Sequence, residues 1–236
     1  MAGAIVQSAY AVDDSGTGAT TVAVTLGSAV TAGNSILVHV GWNDPVDTIT
    51  ISGVSDGSSY ASAAAKVRDA IEQQSGEVFI FENHAANTPT ITATFSSDIA
   101  FRRIRAIEVS GTNITSSVDQ STGQAQTTPG TAENAVSSGA TSATTNATDF
   151  VLGFYHNVGQ FDPGTGTLTA GSGYTINGSN VITGVETKSV SATGAQTATF
   201  TRSVNVNCIT HVVALKETAA AYSRIITPIT SVSMGR

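Results

Sequence analysis

The tetrapeptide Thr-Ala-Thr-Phe at residues 92–95 recurs at residues 197–200, an offset of 105 (197 − 92). The likeness continues past the motif, because the apolar residues that follow each copy can be aligned at the same offset. These residues are Ile99, Phe101, Ile104, Ile107 and Val109 after the first copy, and Val204, Val206, Ile209, Val212 and Ala214 after the second. A repeat of this length in a chain rich in Thr, Val and Gly is typical of two sets of β-strands folded onto one another.

Strand-like segments follow one another along both halves, separated by turns rich in Gly, Ser, Asn and Asp. Residues 20–26 alternate as a half-buried strand does, and residues 35–40 are apolar on both sides, as in a central strand. The pattern predicts an all-β, jelly-roll-like antiparallel β-sandwich built from two pseudo-repeated halves. We expect one domain over 1–216, with repeats at about 4–111 and 135–216, because each half should lack the strands to cover its own apolar face.

Two segments are ambiguous. Residues 61–74 contain good helix formers and a helical apolar stripe, yet they also fit the period of a strand, which the neighbouring strands and the repeat favour. The polar stretch 111–135 could be an interdomain linker. We interpret it instead as a long crossing connection followed by a polar edge strand.

The composition excludes several classes of partner. Charged residues make up 11% of the chain, well below the roughly 25% usual for soluble domains, and the net charge is −7. The first Lys or Arg is Lys66, so the chain has no basic N-terminal arm, and we expect no binding to nucleic acid. The sequence contains no membrane-length apolar run and no secretory signal pattern, which favours synthesis in a cytoplasm and no membrane partner.

No residue spacing in the sequence indicates a catalytic site or a metal-binding site. The histidines lack the spacings of zinc sites, no nucleophile motif is present, and the lone cysteine, Cys208, lies in an apolar run. Glu77 and Glu82 flank one strand, but sandwich glycosidases pair such acids across a cleft with rows of aromatic residues, and aromatic residues are only 6% of this chain. We therefore expect a protein that is not an enzyme and has no cofactor or metal.

The best candidates for ligand binding come from the repeat. Trp42 and Asp44 follow one central strand, and Phe161 and Asp162 follow its counterpart. A ring beside a carboxylate can stack on a sugar and accept its hydroxyl hydrogen bonds. The alternative is that each Asp-Pro pair starts a turn and each ring plugs an end of the sandwich.

Two further features are candidates for subunit contacts. Arg102, Arg103 and Arg105 form the only basic cluster, and Glu108 or a carboxylate on a neighbouring subunit could pair with them, unless they are exposed on a twisted edge. The tail, 217–236, is too apolar to be a flexible segment surrounded by solvent. It folds back on its own sandwich, reaches a neighbouring subunit through Ile225, Ile226, Ile229 and Val232, or is disordered.

Several of these stretches resemble a loose family of jelly-roll-like domains in bacteriophage virion proteins and large bacterial surface proteins. The stretches are 22–26 with 31–38, 92–95 leading to 106–111, 170–175, and 211–216. They mark strands and turns, so the resemblance, over about 4–216, implies a fold but no catalytic residue. The chain has no signal peptide and stands alone with an added tail, which favours the phage setting.

The resemblance and the composition together lead to an expected function. We expect a non-enzymatic virion structural protein, a decoration or cement protein of a phage head or a related tail component, made in the host cytoplasm. Its partners would be copies of itself and another virion protein of the capsid or tail. The alternative is a carbohydrate-binding or adhesive module that recognises a surface glycan.

Overall fold

The computed structural model describes residues 2–126, 135–157, 166–179, 182–204 and 207–218, and these form sixteen strands with no helix. The first half contains β1 (Ala4–Asp13), β2 (Ala19–Thr25), β3 (Ser35–Asn43), β4 (Ile51–Ser55), β5 (Ala61–Asp69), β6 (Gln74–Phe81), β7 (Thr90–Ile99) and β8 (Arg102–Ser110). The second half contains β9 (Val118–Gln126), β10 (Ala135–Ser137), β11 (Asp149–His156), β12 (Leu168–Ala170), β13 (Thr175–Ser179), β14 (Thr183–Val190), β15 (Thr199–Arg202) and β16 (Cys208–Lys216).

The two halves have the same topology. In the first half the sheets run β1-β8-β3-β6-β5 and β2-β7-β4, and in the second they run β9-β16-β11-β14-β13 and β10-β15-β12. Every strand of the first order reappears in the second with its number raised by eight, and neighbouring strands are antiparallel throughout. The predicted all-β, jelly-roll-like architecture of two repeated halves is therefore confirmed. We call the halves roll 1 and roll 2.

The strand count of each half differs from our expectation. Each roll has eight strands in two sheets, enough to enclose a core of its own, so the halves do not simply close one common core. The second repeat begins at β9, at Val118, rather than near 135. Strand β9 is the polar edge strand expected after Gly111, and it belongs to roll 2 because it pairs with β16. Its apolar alternation is weak because its side chains are only half buried.

The rolls stack through their five-stranded sheets, so the molecule has four layers. Trp42, Val40 and Phe95 pack between the two sheets of roll 1. Between the rolls, a second core joins apolar residues of both five-stranded sheets. Its largest contributors are Leu37, Val78, Ile80, Ile107, Phe150, Leu152, Phe154, Val185, Val213 and Leu215. Strands β3, β8, β11 and β16 therefore face apolar surroundings on both sides, which explains their nearly continuous apolar runs.

The repeat alignment needs one correction. Phe95 and Phe200 occupy equivalent strands β7 and β15 and both lie in roll cores, as the offset of 105 requires. In β8 and β16, however, Ile107 pairs with Leu37 while Val213 pairs with Leu152, and all four lie in the core between the rolls. The offset there is even, so the alignment of Ile107 with Val212 put every side chain of that strand on the wrong face.

The ambiguous segment 61–74 is extended, as we expected. It forms β5 and leads into β6 through a tight turn. The Asp69 carboxylate accepts hydrogen bonds from the backbone N–H groups of Ile71 at 2.8 Å and Glu72 at 3.2 Å. These two hydrogen bonds stabilise the turn between β5 and β6, so the segment forms a hairpin and not a helix.

The first two tail residues are held against the connection between the rolls. Glu217 forms a bridge with Thr112, and the backbone N–H of Thr218 donates to the carbonyl of Gly111 at 2.9 Å. Residues 219–236, including Ile225, Ile226, Ile229 and Val232, lie outside the described residues.

Candidate functional site

Trp42 does not present its ring to solvent. It lies in β3 on the same face as Val38 and Val40, its exposed fraction is 0%, and its ring packs 5.8 Å from that of Phe95 in the core of roll 1. A glycan therefore cannot stack on Trp42 in this conformation. The alternative stated above, a ring that plugs the sandwich, describes what the structure contains.

Asp44 is also buried, and its carboxylate is bonded within the chain. The Lys66 ammonium donates to its Oδ2 at 2.6 Å, and the Ser75 hydroxyl donates to the same oxygen at 2.8 Å. The Arg68 guanidinium donates to the Asp44 carbonyl at 3.0 Å. Asp44 is thus the centre of an ion-pair network at the end of roll 1. Its Oδ1 accepts a 3.4 Å hydrogen bond from the backbone N–H of Ile49, and the burial of the carboxylate keeps it out of reach of a sugar. Its predicted counterparts, Phe161 and Asp162, lie outside the described residues and stay a prediction.

The arginine cluster finds its partners inside the chain. Strands β3 and β8 pair without a bulge, so Arg103 and Arg105 share the face of Ile107, towards roll 2. Arg102 pairs with the Asp13 carboxylate, and Arg103 donates to both carboxylate oxygens of Asp14, at 3.2 and 3.3 Å.

The contact of these arginines with a neighbouring subunit stays a prediction, but their charged groups already have partners within the chain. All three arginines are buried in the isolated chain and bonded to it. Glu108 is not their partner, because it points into roll 1. There its carboxylate accepts hydrogen bonds from Thr31, Asn34 and Gln7.

Arg105 joins the two rolls. Its guanidinium donates to the hydroxyl and the carbonyl of Thr183 in β14, both at 3.1 Å, and to the Ser8 hydroxyl in β1 at 3.1 Å. It also lies 5.0 Å from the centre of the Tyr10 ring. Burial lowers the pKa of Arg105 to about 10, which leaves it charged at neutral pH.

Three histidines meet between the rolls. His156 Nδ1 lies 3.0 Å from His39 Nε2, His156 Nε2 lies 3.3 Å from the Ser75 carbonyl, and His211 Nε2 lies 3.2 Å from the Ala65 carbonyl. Carbonyls only accept, so the Nε2–H groups of His156 and His211 donate to them, and His39 donates to His156. Burial lowers the pKa of all three rings, that of His211 to about 4. They are therefore neutral at pH 7, as structural histidines are.

A glycine pair makes room for one of these rings. Gly41 in β3 and Gly76 in β6 are opposite each other in the ladder. A Cβ added to Gly41 would lie 2.6 Å from the ring of His156, and one added to Gly76 would lie 2.0 Å from it. The two missing side chains form a hollow in the sheet of roll 1 that receives a ring from roll 2.

Roll 2 has its own buried carboxylate. Glu186 in β14 accepts hydrogen bonds from the backbone N–H groups of Gly171 at 2.8 Å and Thr199 at 3.0 Å, which ties its two sheets together. Burial raises the pKa of Glu186 to about 7. Sequence reasoning missed it, because the strand around Glu186 is mostly polar and the acid does not stand out in it.

A groove of about 520 Å³ opens where the connection between the rolls crosses roll 1. Ile80 and Phe81 of β6 form one wall, and Ile114 and Val118 form the other, with Ile114 49% exposed. The carboxylate in this groove, Glu82, accepts hydrogen bonds from the backbone N–H groups of Ser116 and Ser117, so it anchors the connection. The tail emerges beside the same connection, at Gly111 and Thr112.

Within the described ranges, no group of three or more His, Cys, Asp or Glu side chains could hold a metal ion, and no helix could cross a membrane. No family model matches the chain, and no curated protein or solved structure matches it either.

Proposed function

We propose that this chain is a non-enzymatic structural protein of a virion, a decoration or cement protein of a bacteriophage head or a related tail component. It is made in the host cytoplasm, associates with its own copies, and docks on a neighbouring capsid or tail subunit through its C-terminal segment. The observation that carries this proposal is the core shared between the two rolls, which joins them into one block.

A building block must transmit force without bending between its halves. Apolar residues from both rolls, among them Leu37, Ile107, Phe154 and Val213, are fully buried in the shared core. Arg105 adds directional hydrogen bonds across it, and the ring of His156 fits into the hollow at Gly41 and Gly76. Close packing of this kind resists shear between layers, because sliding would separate buried apolar surface and leave polar groups unpaired.

The surface suits repeated contact with identical neighbours. Few residues are charged, and many of those are paired inside the chain, as Lys66 with Asp44 and Arg102 with Asp13. Copies with such surfaces can pack side by side without strong like-charge repulsion. The net charge of −7 gives no basis for binding nucleic acid.

The C-terminal segment has the composition of a docking element. The eighteen residues after Thr218 include Ile225, Ile226, Ile229 and Val232. Each such side chain contributes roughly 1.5–3 kcal/mol when fully buried, before ordering costs are subtracted. Fully extended, the segment would span about 60 Å, enough to reach a neighbouring subunit.

Deleting residues 219–236 tests the docking role. We expect the truncated protein to keep its circular dichroism spectrum and melting temperature, and to be lost from particles purified from cells that express it. The matched control exchanges Ile225 and Ile229 for serine in one variant and Thr227 and Thr230 for serine in another. Only the isoleucine variant should lose particle binding.

The particle itself tests the virion setting. Antibodies against the chain should label intact particles in electron micrographs. Particles that never carry the chain would overturn the proposed function, and truncated protein that still joins particles would overturn the role of the tail.

A further inference from the structure

Within the described ranges, strand β1 is paired along one edge only. It ends the five-stranded sheet of roll 1, and among the described residues only β8 pairs with it. It is ten residues long and carries no charged side chain before Asp13. Long uncharged edge strands invite pairing with another chain, and proteins usually protect them with lysine, proline, short length or a covering element.

The equivalent strand in roll 2, β9, differs from β1 in its side chains. Among the described residues β9 also pairs along one edge only, with β16, while its face packs against β5 of roll 1, with Gly123 against Val67. Strand β9 carries a charge near its start, at Asp119, whereas β1 carries none before Asp13. Of these two equivalent edges, β1 is therefore the one without an early charge to oppose pairing.

The open strand presents ordered apolar side chains. Val6 is 49% exposed and Tyr10 is 52% exposed, two of the few large exposed apolar residues in the described chain. The Arg105 guanidinium lies against the Tyr10 ring and bonds to Ser8, so it holds this stretch in place. Little side-chain freedom remains to be lost when a partner binds.

The geometry points to one partner, the β1 strand of a second copy, paired antiparallel about a two-fold axis at Tyr10. This inference deepens the proposed function and rests on the self-association it contains. A bulge between Ile5 and Gln7 ends the regular ladder, which leaves seven regular residues from Gln7 to Asp13, and Tyr10 is their centre. A strand paired with its own copy is self-complementary by symmetry.

The charges and side chains of this pairing are compatible. Tyr10 meets Tyr10 of the second copy, so two aromatic rings are opposed, and the small Ser8 meets Val12. Asp13 lies opposite the uncharged Gln7, and the two Asp13 residues are six positions, about 20 Å, apart along the strands. No like charges face each other across the contact.

Cysteine crosslinking of the full chain tests the axis. The natural Cys208 is buried, and burial raises the pKa of its thiol, so it should not react. We expect Tyr10→Cys to form a covalent dimer under mild oxidation and Thr21→Cys, exposed on β2, to remain monomeric. A dimer from Ser8→Cys with none from Tyr10→Cys would overturn the axis at Tyr10.

Sedimentation equilibrium tests the contact without a crosslink. Two lysines opposed at the axis should raise the dimer Kd at least about tenfold in Tyr10→Lys, while Tyr10→Phe and Thr21→Lys keep the unaltered value. An unaltered Kd in Tyr10→Lys, or a full-length protein that stays monomeric, would overturn the inference. Stronger dimerisation after deletion of 219–236 would also overturn it, because the chain's own tail would then cover β1.

The outcomes separate this inference from the proposed function. Tyr10→Lys protein that is monomeric but still joins particles would leave the particle role intact and confine β1 to self-association. A chain that dimerises through Tyr10 but never occurs in particles would support the inference and overturn the virion role.

Discussion

The ring of His211 is a buried base that the fold keeps neutral. Its Nε2–H donates to the Ala65 carbonyl, and burial lowers its pKa to about 4, against about 6.5 in an unfolded chain. Between these two values the unfolded chain binds more protons than the folded one. The free energy of unfolding therefore decreases as the pH falls from about 6.5 towards 4.

Replacing this ring by a neutral amide should remove its share of the acid sensitivity. In His211→Gln the side-chain amide can still donate to Ala65, but it does not titrate. Between pH 7.5 and pH 5 we expect the variant to lose about 2 kcal/mol less unfolding free energy than the unaltered protein, as measured by urea denaturation. His39 and His156 keep titrating in both proteins, so the difference reports His211 together with the effect of its charge on those two rings. Equal losses would show that this ring does not resist protonation.

Trp42 should matter for stability and not for ligand binding. It is fully buried in the core of roll 1, so Trp42→Ala removes a large side chain and leaves a cavity. We expect a loss of about 3–5 kcal/mol in unfolding free energy. A glycan array on the unaltered protein and on Trp42→Ala provides the second readout. Glycan binding that disappears in the variant with unchanged stability would contradict the burial of Trp42.

The location of Trp42 could have been predicted from its strand. Ile36, Val38, Val40 and Trp42 are spaced by two, which puts them on one face of one strand, so Trp42 belongs to β3 and does not follow it. The burial of Asp44 could not be predicted, because its partners Lys66 and Ser75 come from strands distant in sequence.

Gly76 controls the contact between the five-stranded sheets. A methyl group there would meet the His156 ring at 2.0 Å, so Gly76→Ala must push roll 2 away from roll 1 or move the ring. We expect a loss of about 1–3 kcal/mol, measured by thermal and urea unfolding. Gly53→Ala in β4 is the matched control, because nothing lies within 4 Å of its added Cβ. A neutral Gly76→Ala would mean that the hollow does not hold the ring.

The strands that the sequence revealed are those with strong side-chain patterns. The Thr-Ala-Thr-Phe repeat correctly matched β7 with β15, because both contribute a phenylalanine to a roll core. Strand β9 was assigned to the wrong side of the repeat boundary, because backbone pairing with β16 defines it and its own side chains are mostly polar. The sequence did not predict which sheets stack on each other. A strand with apolar residues on both faces fits the core of a roll and the core between the rolls equally well.

At the scale of the whole molecule, the shared core predicts that the two rolls unfold together. Separating them would expose Leu37, Ile107, Phe154 and Val213 to water and would break the bonds from Arg105 to Thr183. Neither roll could keep those residues buried alone, so the partly unfolded state should be too unstable to populate. We therefore expect one calorimetric transition for the full chain, with equal calorimetric and van't Hoff enthalpies.

A variant sharpens this test. If the rolls are one cooperative unit, Gly76→Ala should lower the temperature of the single transition and leave it single. If they are independent domains, the unaltered protein should show two transitions, and a Trp42→Ala core defect should shift only the one that belongs to roll 1. A single transition in both variants would place the rigidity of the block in the layer between the rolls, because that layer contains the largest set of apolar residues shared by the two rolls.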